Sequence, residues 1–158
     1  MQETRKPAIV VGVDGSPSSR AALEFALREG VARGCPVEVV TAWTWSGPHE
    51  PLVGPSTPHE ARERAQRAQD DAVADALREV PASPVISRQV VQGDPAKVLL
   101  RAGRGADYLV VGSAHKGLLK RAVLGSVSEY CVRHAACPVV VIPTVRQQAD
   151  ETALSVAR

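Results

Sequence analysis

Two glycine- and serine-containing segments carry the residue types that bind phosphate groups. One begins at Gly112, and the other is Gly125-Ser126-Val127-Ser128; the basic residue Lys116 lies in the connection between them. Glycine lets the backbone approach a ligand closely, while serine hydroxyls and the free N–H groups of a helix start donate hydrogen bonds to anions. The second segment is predicted to open a helix, which favours an anion site at its amino end.

A second interpretation of the same segment needs no ligand. Ser126 and Glu129 have the three-residue spacing of a capping box, in which each side chain accepts a hydrogen bond from the backbone N–H of the other. Glu129 would also repel a phosphate, and a helix terminus alone stabilises an anion by only about 0.3 to 1 kcal/mol. The residues alone leave both interpretations open.

Short apolar segments rich in β-branched residues alternate with longer helical segments. The predicted strands are residues 8–13, 36–43, 85–91, 108–112 and 139–142. The predicted helices start at Ser16, at Thr57, at Asp94 with Pro95 in the first turn, and at Ser126. Alternating strands and helices favour an α/β fold, a doubly wound open parallel sheet of five strands with Rossmann-like helices on both faces and strand order 3-2-1-4-5.

This strand order predicts the position of the site. Ligands of open α/β sheets bind at the carboxyl ends of the strands, where the chain reverses its direction across the sheet. The first and fourth strands flank that reversal, so Gly12-Val13-Asp14 and Val111-Gly112 are expected to meet there. Asp14 before Gly15 is also a common turn arrangement, which is compatible with a ligand role.

Composition narrows the class of protein further. The 158 residues fit one domain, expected over residues 1–143, with a tail over residues 144–158 whose order the sequence leaves open. The net charge of +2 is dispersed and the aromatic residues are few and scattered, so nucleic acid is not an expected partner. No apolar segment reaches the roughly 20 residues that span a bilayer and no signal sequence is evident, so we expect a cytoplasmic protein without membrane contact.

Three further motifs occur in a fixed order along the chain: Ile9-Val10-Val11-Gly12-Val13-Asp14 at the front, then Leu124-Gly125-Ser126-Val127-Ser128-Glu129, then Cys137-Pro138-Val139-Val140-Val141-Ile142. Through these motifs the chain resembles the universal stress protein family over residues 9–143. Nucleotide-binding members share a signature of G-x2-G-x9-G-[S/T]. Gly112, Gly125 and Ser126 match it in both spacings, and His115 stands at the middle glycine.

The resemblance implies a ligand and its contacts. It implies that ATP binds with its phosphates at Gly112, Gly125, Ser126, Val127 and Ser128, next to Val111, His115 and Lys116. It also implies that Asp14 faces the ribose or a nucleotide-bound Mg²⁺, and that backbone near Gly12, Val13 and Ala42 contacts adenine. Finally, it implies a homodimer in which the apolar edge strand 139–142 pairs across a two-fold axis.

Three functions compete on this basis. The first is a stress-response regulatory protein that binds an adenine nucleotide and is not a metabolic enzyme. The second is a dimeric interaction module of the same fold that binds no nucleotide, because a Cβ at His115 can clash with phosphate. The third, slow ATP hydrolysis, ranks last because the sequence has no Walker-type loop and no dedicated base near the site.

Overall fold

The structure is a computed structural model that describes residues 7–47, 57–113 and 124–143. Five strands and four helices alternate along these described residues. The strands are β1 Ile9–Gly12, β2 Val37–Trp43, β3 Ile86–Gln92, β4 Tyr108–Gly112 and β5 Val139–Ile142. The helices are α1 Pro17–Arg33, α2 Pro58–Glu79, α3 Pro95–Ala102 and α4 Ser126–His134.

All five strands form one parallel sheet in the order β3-β2-β1-β4-β5, which confirms the predicted fold class and strand order. Helices α1 and α2 pack together on one face of the sheet, and α3 and α4 pack on the other. Each face has its own apolar core, because the side chains of a strand alternate between faces. Both edges of the sheet, β3 and β5, are less buried than the three central strands.

Three of the four helices begin with a capping side chain. Ser16, Thr57 and Asp94 each accept a hydrogen bond from the backbone N–H three residues later, and a proline follows each of them. Serine, threonine and aspartate are favoured at this position because they satisfy a helix N–H group that has no partner within the helix. Ser16 and Asp94 are confirmed as predicted caps, and Thr57, predicted only as the approximate start of its helix, is a cap as well.

The fourth helix differs from the predicted capping box. Gly125, not Ser126, is the N-cap residue, and no side chain caps the described start of this helix. Glu129 donates its backbone N–H to the Gly125 carbonyl, and its carboxylate pairs with Arg133 at 2.7 Å instead of reaching back to Ser126. The capping-box interpretation is wrong because Ser126 already lies in the first helical turn.

Some predicted features lie outside the described residues. These are the site residues His115 and Lys116 and the tail at residues 144–158. Among the helices that the structure does describe, none is long and apolar enough to cross a bilayer. The described cysteines, Cys35, Cys131 and Cys137, are free thiols.

Candidate nucleotide site

The site lies where two neighbouring strands part at the carboxyl edge of the sheet. The pairing of β1 with β4 ends at Val11 and Val110, whereas β1 continues beside β2 to Gly12 and β4 continues beside β5 to Gly112. A pocket opens between the diverging strand ends. This is the position at which open α/β sheets bind ligands.

The pocket collects residues that are distant in sequence. Ten of the twelve predicted site residues are described, and all ten line it; His115 and Lys116 fall outside the described residues. Those ten are Gly12, Val13, Asp14, Ala42, Val111, Gly112, Gly125, Ser126, Val127 and Ser128. Their role toward a ligand stays a prediction, but their convergence on one pocket is a feature of the fold.

Six further lining residues were not predicted: Ser16, Ser18, Ser19, Val40, Pro95 and Leu99. The three serines belong to the start of α1, and Pro95 and Leu99 belong to α3. A signal for them was present, because the predicted helix starts at Ser16 and Asp94 follow strands that end at the same edge of the sheet. Only the assembled fold brings α3 close enough to β1 for Leu99 to reach the pocket.

The pocket has an apolar part and a polar part. Val13, Val40, Leu99 and Val111 are each at most 5% exposed and present apolar surface. Serine hydroxyls and the Asp14 carboxylate border the rest of the pocket, with Ser126 exposed. Apolar walls with a few placed polar groups are typical of sites for small organic ligands.

Three helices point their amino ends at this pocket, and they differ in how those ends are satisfied. α1 and α3 are capped by Ser16 and Asp94, so part of their N–H donor capacity is already used. α4 starts at Gly125 without a side-chain cap. Since uncapped helix N–H groups and the helix dipole both favour an anion, the start of α4 is the candidate anion-binding element among the described lining residues.

Ser128 contributes to this helix start in a specific way. Its hydroxyl donates to the carbonyl oxygen of Gly125 at 2.9 Å, and its side chain is buried. The proton of this hydroxyl is therefore already engaged within the first turn. Ser126 carries the exposed hydroxyl of this turn that can donate to a ligand.

Asp14 supplies the negative charge of the described pocket lining. Its carboxylate accepts the backbone N–H of Ser16 at 2.9 Å, and its own N–H donates to the Ser19 hydroxyl at 3.2 Å. Burial alone would raise the pKa of Asp14, but the hydrogen bonds from Ser16 and Ser19 outweigh burial and lower it. The carboxylate is ionised at neutral pH and faces the pocket as a hydrogen-bond acceptor.

Two of the glycines lie in close packing contacts. A Cβ on Gly112 would lie 2.5 Å from backbone atoms of Ser18, and a Cβ on Gly12 would lie 2.8 Å from a methyl group of Leu99. Both contacts are shorter than any side chain tolerates without movement. The close approach of β4 to α1 thus demands glycine at position 112 whether or not a ligand binds.

The fold and the pocket define a class of protein, an α/β protein with a candidate ligand pocket at its topological switch point. The chain belongs to the universal stress protein family, whose family model matches residues 7–143.

Relatives support this membership. A universal stress protein of Mycolicibacterium smegmatis is 32% identical over 99% of this chain and 54% of its own length. A universal stress protein of Mycobacterium tuberculosis is 35% identical over 90% of this chain and 50% of its own length. This chain therefore spans about half the length of these curated relatives. A solved universal stress protein from Archaeoglobus fulgidus, in complex with dAMP, superimposes with a TM-score of 0.62 at 26% identity, over 86% of this chain and 97% of that one.

Proposed function

We propose that this protein binds an adenine nucleotide, in the first place ATP, and acts as a cytoplasmic stress-response regulator that is not a metabolic enzyme. The observation that carries the proposal is the uncapped start of α4 at Gly125, which faces the same pocket as the Asp14 carboxylate. The pocket combines a helix start that can bind an anion, an ionised hydrogen-bond acceptor and apolar walls. These features match the phosphates, the ribose and the adenine of a nucleotide. The dAMP complex of the relative from Archaeoglobus fulgidus agrees with this choice of ligand.

Each part of the nucleotide has a counterpart in the pocket. The phosphates would accept hydrogen bonds from the N–H groups of the first turn of α4 and from the Ser126 hydroxyl. The ribose hydroxyls would donate to Asp14. Adenine would lie on the apolar surface beside Val13 and Ala42.

Mg²⁺, if it accompanies the nucleotide, would be held through the phosphates and Asp14. Carboxylate and phosphate oxygens are the ligands that Mg²⁺ prefers, and it usually keeps several water molecules. No group of three or more acidic, histidine or cysteine side chains forms a metal site in the part of the chain that the structure describes. With Asp14 as the one carboxylate of the described lining, the pocket fits a Mg²⁺ ion carried by the nucleotide better than one held by the protein alone.

The residues that line the pocket favour nucleotide binding without hydrolysis. Asp14 is the one titratable side chain among the described lining residues, and its lowered pKa makes it a weak general base. Hydrolysis also needs a group that orients the attacking water. Slow ATP hydrolysis therefore remains the lowest ranked function.

We also propose a homodimer through β5. All four residues of Val139–Ile142 are apolar, and all four are half-buried at the edge of the sheet. An apolar edge strand is an aggregation hazard unless a partner covers it, and antiparallel pairing with the same strand of a second copy covers both. A dimer that forms equally well without nucleotide is expected in both the regulatory function and the interaction-module alternative.

The test is calorimetric titration of the nucleotide-free protein with Mg-ATP, Mg-GTP and cyclic AMP. Gly125→Asp and Gly125→Asn form a matched pair of variants. The backbone at Gly125, with φ of −66° and ψ of 161°, suits any residue, and both aspartate and asparagine are good N-caps. Only aspartate adds a negative charge where the phosphates would lie.

We expect adenine-selective binding to wild type in the micromolar range. Gly125→Asp should bind ATP at least about tenfold more weakly than Gly125→Asn, because the added carboxylate repels the phosphates that the start of α4 would otherwise hold by charge-assisted hydrogen bonds. Equal affinity in wild type and both variants would contradict a phosphate site at α4. No binding of any nucleotide to folded wild type would leave the nucleotide-independent interaction module as the function.

A further inference from the structure

Two buried polar side chains lie behind the pocket without lining it. Thr41 of β2 is 3% exposed, and Gln69 of α2 is fully buried. Gln69 extends its amide onto the sheet, where Nε2 lies 3.0 Å from the Thr41 hydroxyl and 2.9 Å from the carbonyl oxygen of Gln89. A glutamine in the middle of an apolar helix–sheet interface requires an explanation, since burying an amide is costly.

The hydrogen bonds run in one direction. The Thr41 hydroxyl donates its single proton to the carbonyl oxygen of Val13 at 2.8 Å, so toward Gln69 it can only accept. Gln69 Nε2 is the donor that fits that acceptor. The result is a relay from Gln69 through Thr41 to the backbone of Val13, and each bond polarises the next.

The end of this relay is a residue of the pocket. Val13 is the first residue after β1, just where β1 and β4 have parted. Its N–H donates to the carbonyl oxygen of Val40 at 2.9 Å, and its carbonyl accepts the Thr41 hydroxyl. Both backbone polar groups of Val13 are thus tied to β2, which keeps the peptide on one side of the cleft and leads directly into Asp14.

We propose that Thr41 and Gln69 are positioning residues that hold the Val13–Asp14 peptide in the orientation that the ligand requires. This inference rests on the proposed function, because it concerns the same pocket. Neither side chain touches the pocket; they act through the Val13 carbonyl, which fixes the direction in which the Asp14 carboxylate and the neighbouring backbone groups present themselves.

The energetics at position 69 favour a role beyond packing. The Gln69 side-chain oxygen is buried and has no hydrogen-bond partner among the residues that the structure describes. A methionine would fill a similar volume without burying an acceptor, whereas a buried acceptor without a partner destabilises the folded state. Retaining an amide here is explained by what its Nε2 donates to, and Thr41 leads from that donor to Val13.

The test compares Thr41→Val with Thr41→Ser. Valine keeps the shape of threonine and loses the hydroxyl, whereas serine keeps the hydroxyl. Each folded variant is titrated with ATP, and backbone amide hydrogen exchange at Asp14 is measured without nucleotide, with Val10 in the centre of the sheet as the internal reference. Gln69→Met, which removes the donor and leaves Thr41 intact, replaces Thr41→Val if that variant does not fold.

Thr41→Val should weaken ATP binding about tenfold, as expected for loss of a buried hydrogen bond that orients the site, while Thr41→Ser stays within about threefold of wild type. Amide exchange at Asp14 should accelerate in Thr41→Val relative to Val10. A purely structural role would lower the free energy of unfolding and leave the affinity of the folded protein unchanged, and that result would overturn the inference.

The two proposals fail separately. If wild type binds no adenine nucleotide, the proposed function is wrong, and amide exchange alone decides the positioning role. Faster exchange at Asp14 in Thr41→Val and normal exchange in Thr41→Ser would then still support it. Unchanged exchange in both variants would overturn it.

Discussion

A Cβ atom on Gly112 would lie 2.5 Å from the carbonyl carbon and oxygen of Ser18. The last residue of β4 and the first turn of α1 are therefore in direct backbone contact. This contact places the amino end of α1 over the cleft between β1 and β4, and it explains why the serines of α1 line a pocket that the strand ends define. The glycine that the family signature assigns to phosphate binding is also a packing requirement of the fold.

Gly112→Ala is expected to destabilise the protein more than Gly12→Ala. The new methyl group at position 112 meets backbone, which can relieve the overlap only by moving α1 relative to β4. At position 12 it meets the side chain of Leu99, which can rotate. Overpacking typically costs about 1 to 3 kcal/mol, and we expect Gly112→Ala at the upper end of that range. Denaturant unfolding of both variants measures the difference, and a smaller loss for Gly112→Ala would contradict the packing argument.

The elements of this fold could be predicted from the sequence because their signals are local. Ser16, Thr57 and Asp94 each mark a helix start by side-chain chemistry that acts within three residues. The same reasoning misplaced the cap of α4 by one residue. Ser126 and Glu129 have the spacing of a capping box, but Gly125 is the N-cap residue. Local patterns identify that a helix starts, and packing decides at which residue.

The relation between Gln69 and Thr41 could not be predicted in this way. In the sequence Gln69 has the helical spacing of the buried face of α2, four residues after Ala65 and three before Ala72, but nothing local identifies the group that its amide contacts. Only the docking of α2 on β2 buries it and brings its amide to a hydroxyl 28 residues away. The strand order and the family resemblance defined where the pocket lies, but contacts of this kind depend on how two elements pack.

Asp14→Asn tests the charge of the pocket separately from its shape. Asparagine keeps the oxygen that accepts the Ser16 N–H, so the loop should persist while the negative charge is lost. We expect about tenfold weaker ATP binding, because hydrogen bonds to charged groups are worth about 1.5 to 3 kcal/mol. Titration with and without Mg²⁺ would show whether the metal contributes, and an unchanged affinity in both conditions would exclude Asp14 as a ligand contact.

The lowered pKa of Asp14 predicts that the free energy of unfolding depends on pH. The folded state lowers the pKa of Asp14 below its ordinary value of 3.8, so its carboxylate stabilises the fold above that pH. This contribution is lost as the pH falls through the lower, folded-state pKa. The difference in unfolding free energy between wild type and Asp14→Asn should therefore shrink below about pH 4. A difference that stays constant from neutral pH to pH 3 would contradict the lowered pKa.

Tyr108→Phe is expected to affect stability and leave nucleotide binding unchanged. The Tyr108 hydroxyl donates to the Glu29 carboxylate at 3.1 Å, at the end of β4 away from the pocket, and Arg33 pairs with the same carboxylate. Loss of the hydrogen bond between Tyr108 and Glu29 should lower the free energy of unfolding by about 1 kcal/mol in denaturant unfolding. Burial and the bond to Glu29 raise the pKa of Tyr108 to about 12, so wild type should lose this advantage as the pH rises from 10 toward 12. A changed ATP affinity would mean that the two ends of β4 are coupled.

The edge strand β5 offers a test of the dimer that does not depend on nucleotide. Leu109 of β4 donates its N–H to the carbonyl oxygen of Pro138, and Ser113, just after β4, donates to that of Ile142. In a parallel ladder the backbone groups of Val139 and Val141 therefore point outward from the sheet. Val141→Pro removes one outward N–H and leaves the bonds to β4 in place, which edge strands tolerate. We expect this variant to dissociate to monomers in sedimentation experiments at concentrations where wild type is dimeric.

Arg88→Pro on the opposite edge strand β3 is the matched control for Val141→Pro. Val37 donates its N–H to the carbonyl oxygen of Val85, so the alternation of the ladder also points the backbone N–H of Arg88 outward. Proline at this edge should leave the dimer intact if β5 is the interface. Dissociation in both variants would indicate general destabilisation, which unfolding curves would reveal. A dimer that survives Val141→Pro and dissociates in Arg88→Pro would move the interface from β5 to β3, and the apolar edge at Val139–Ile142 would then need another partner.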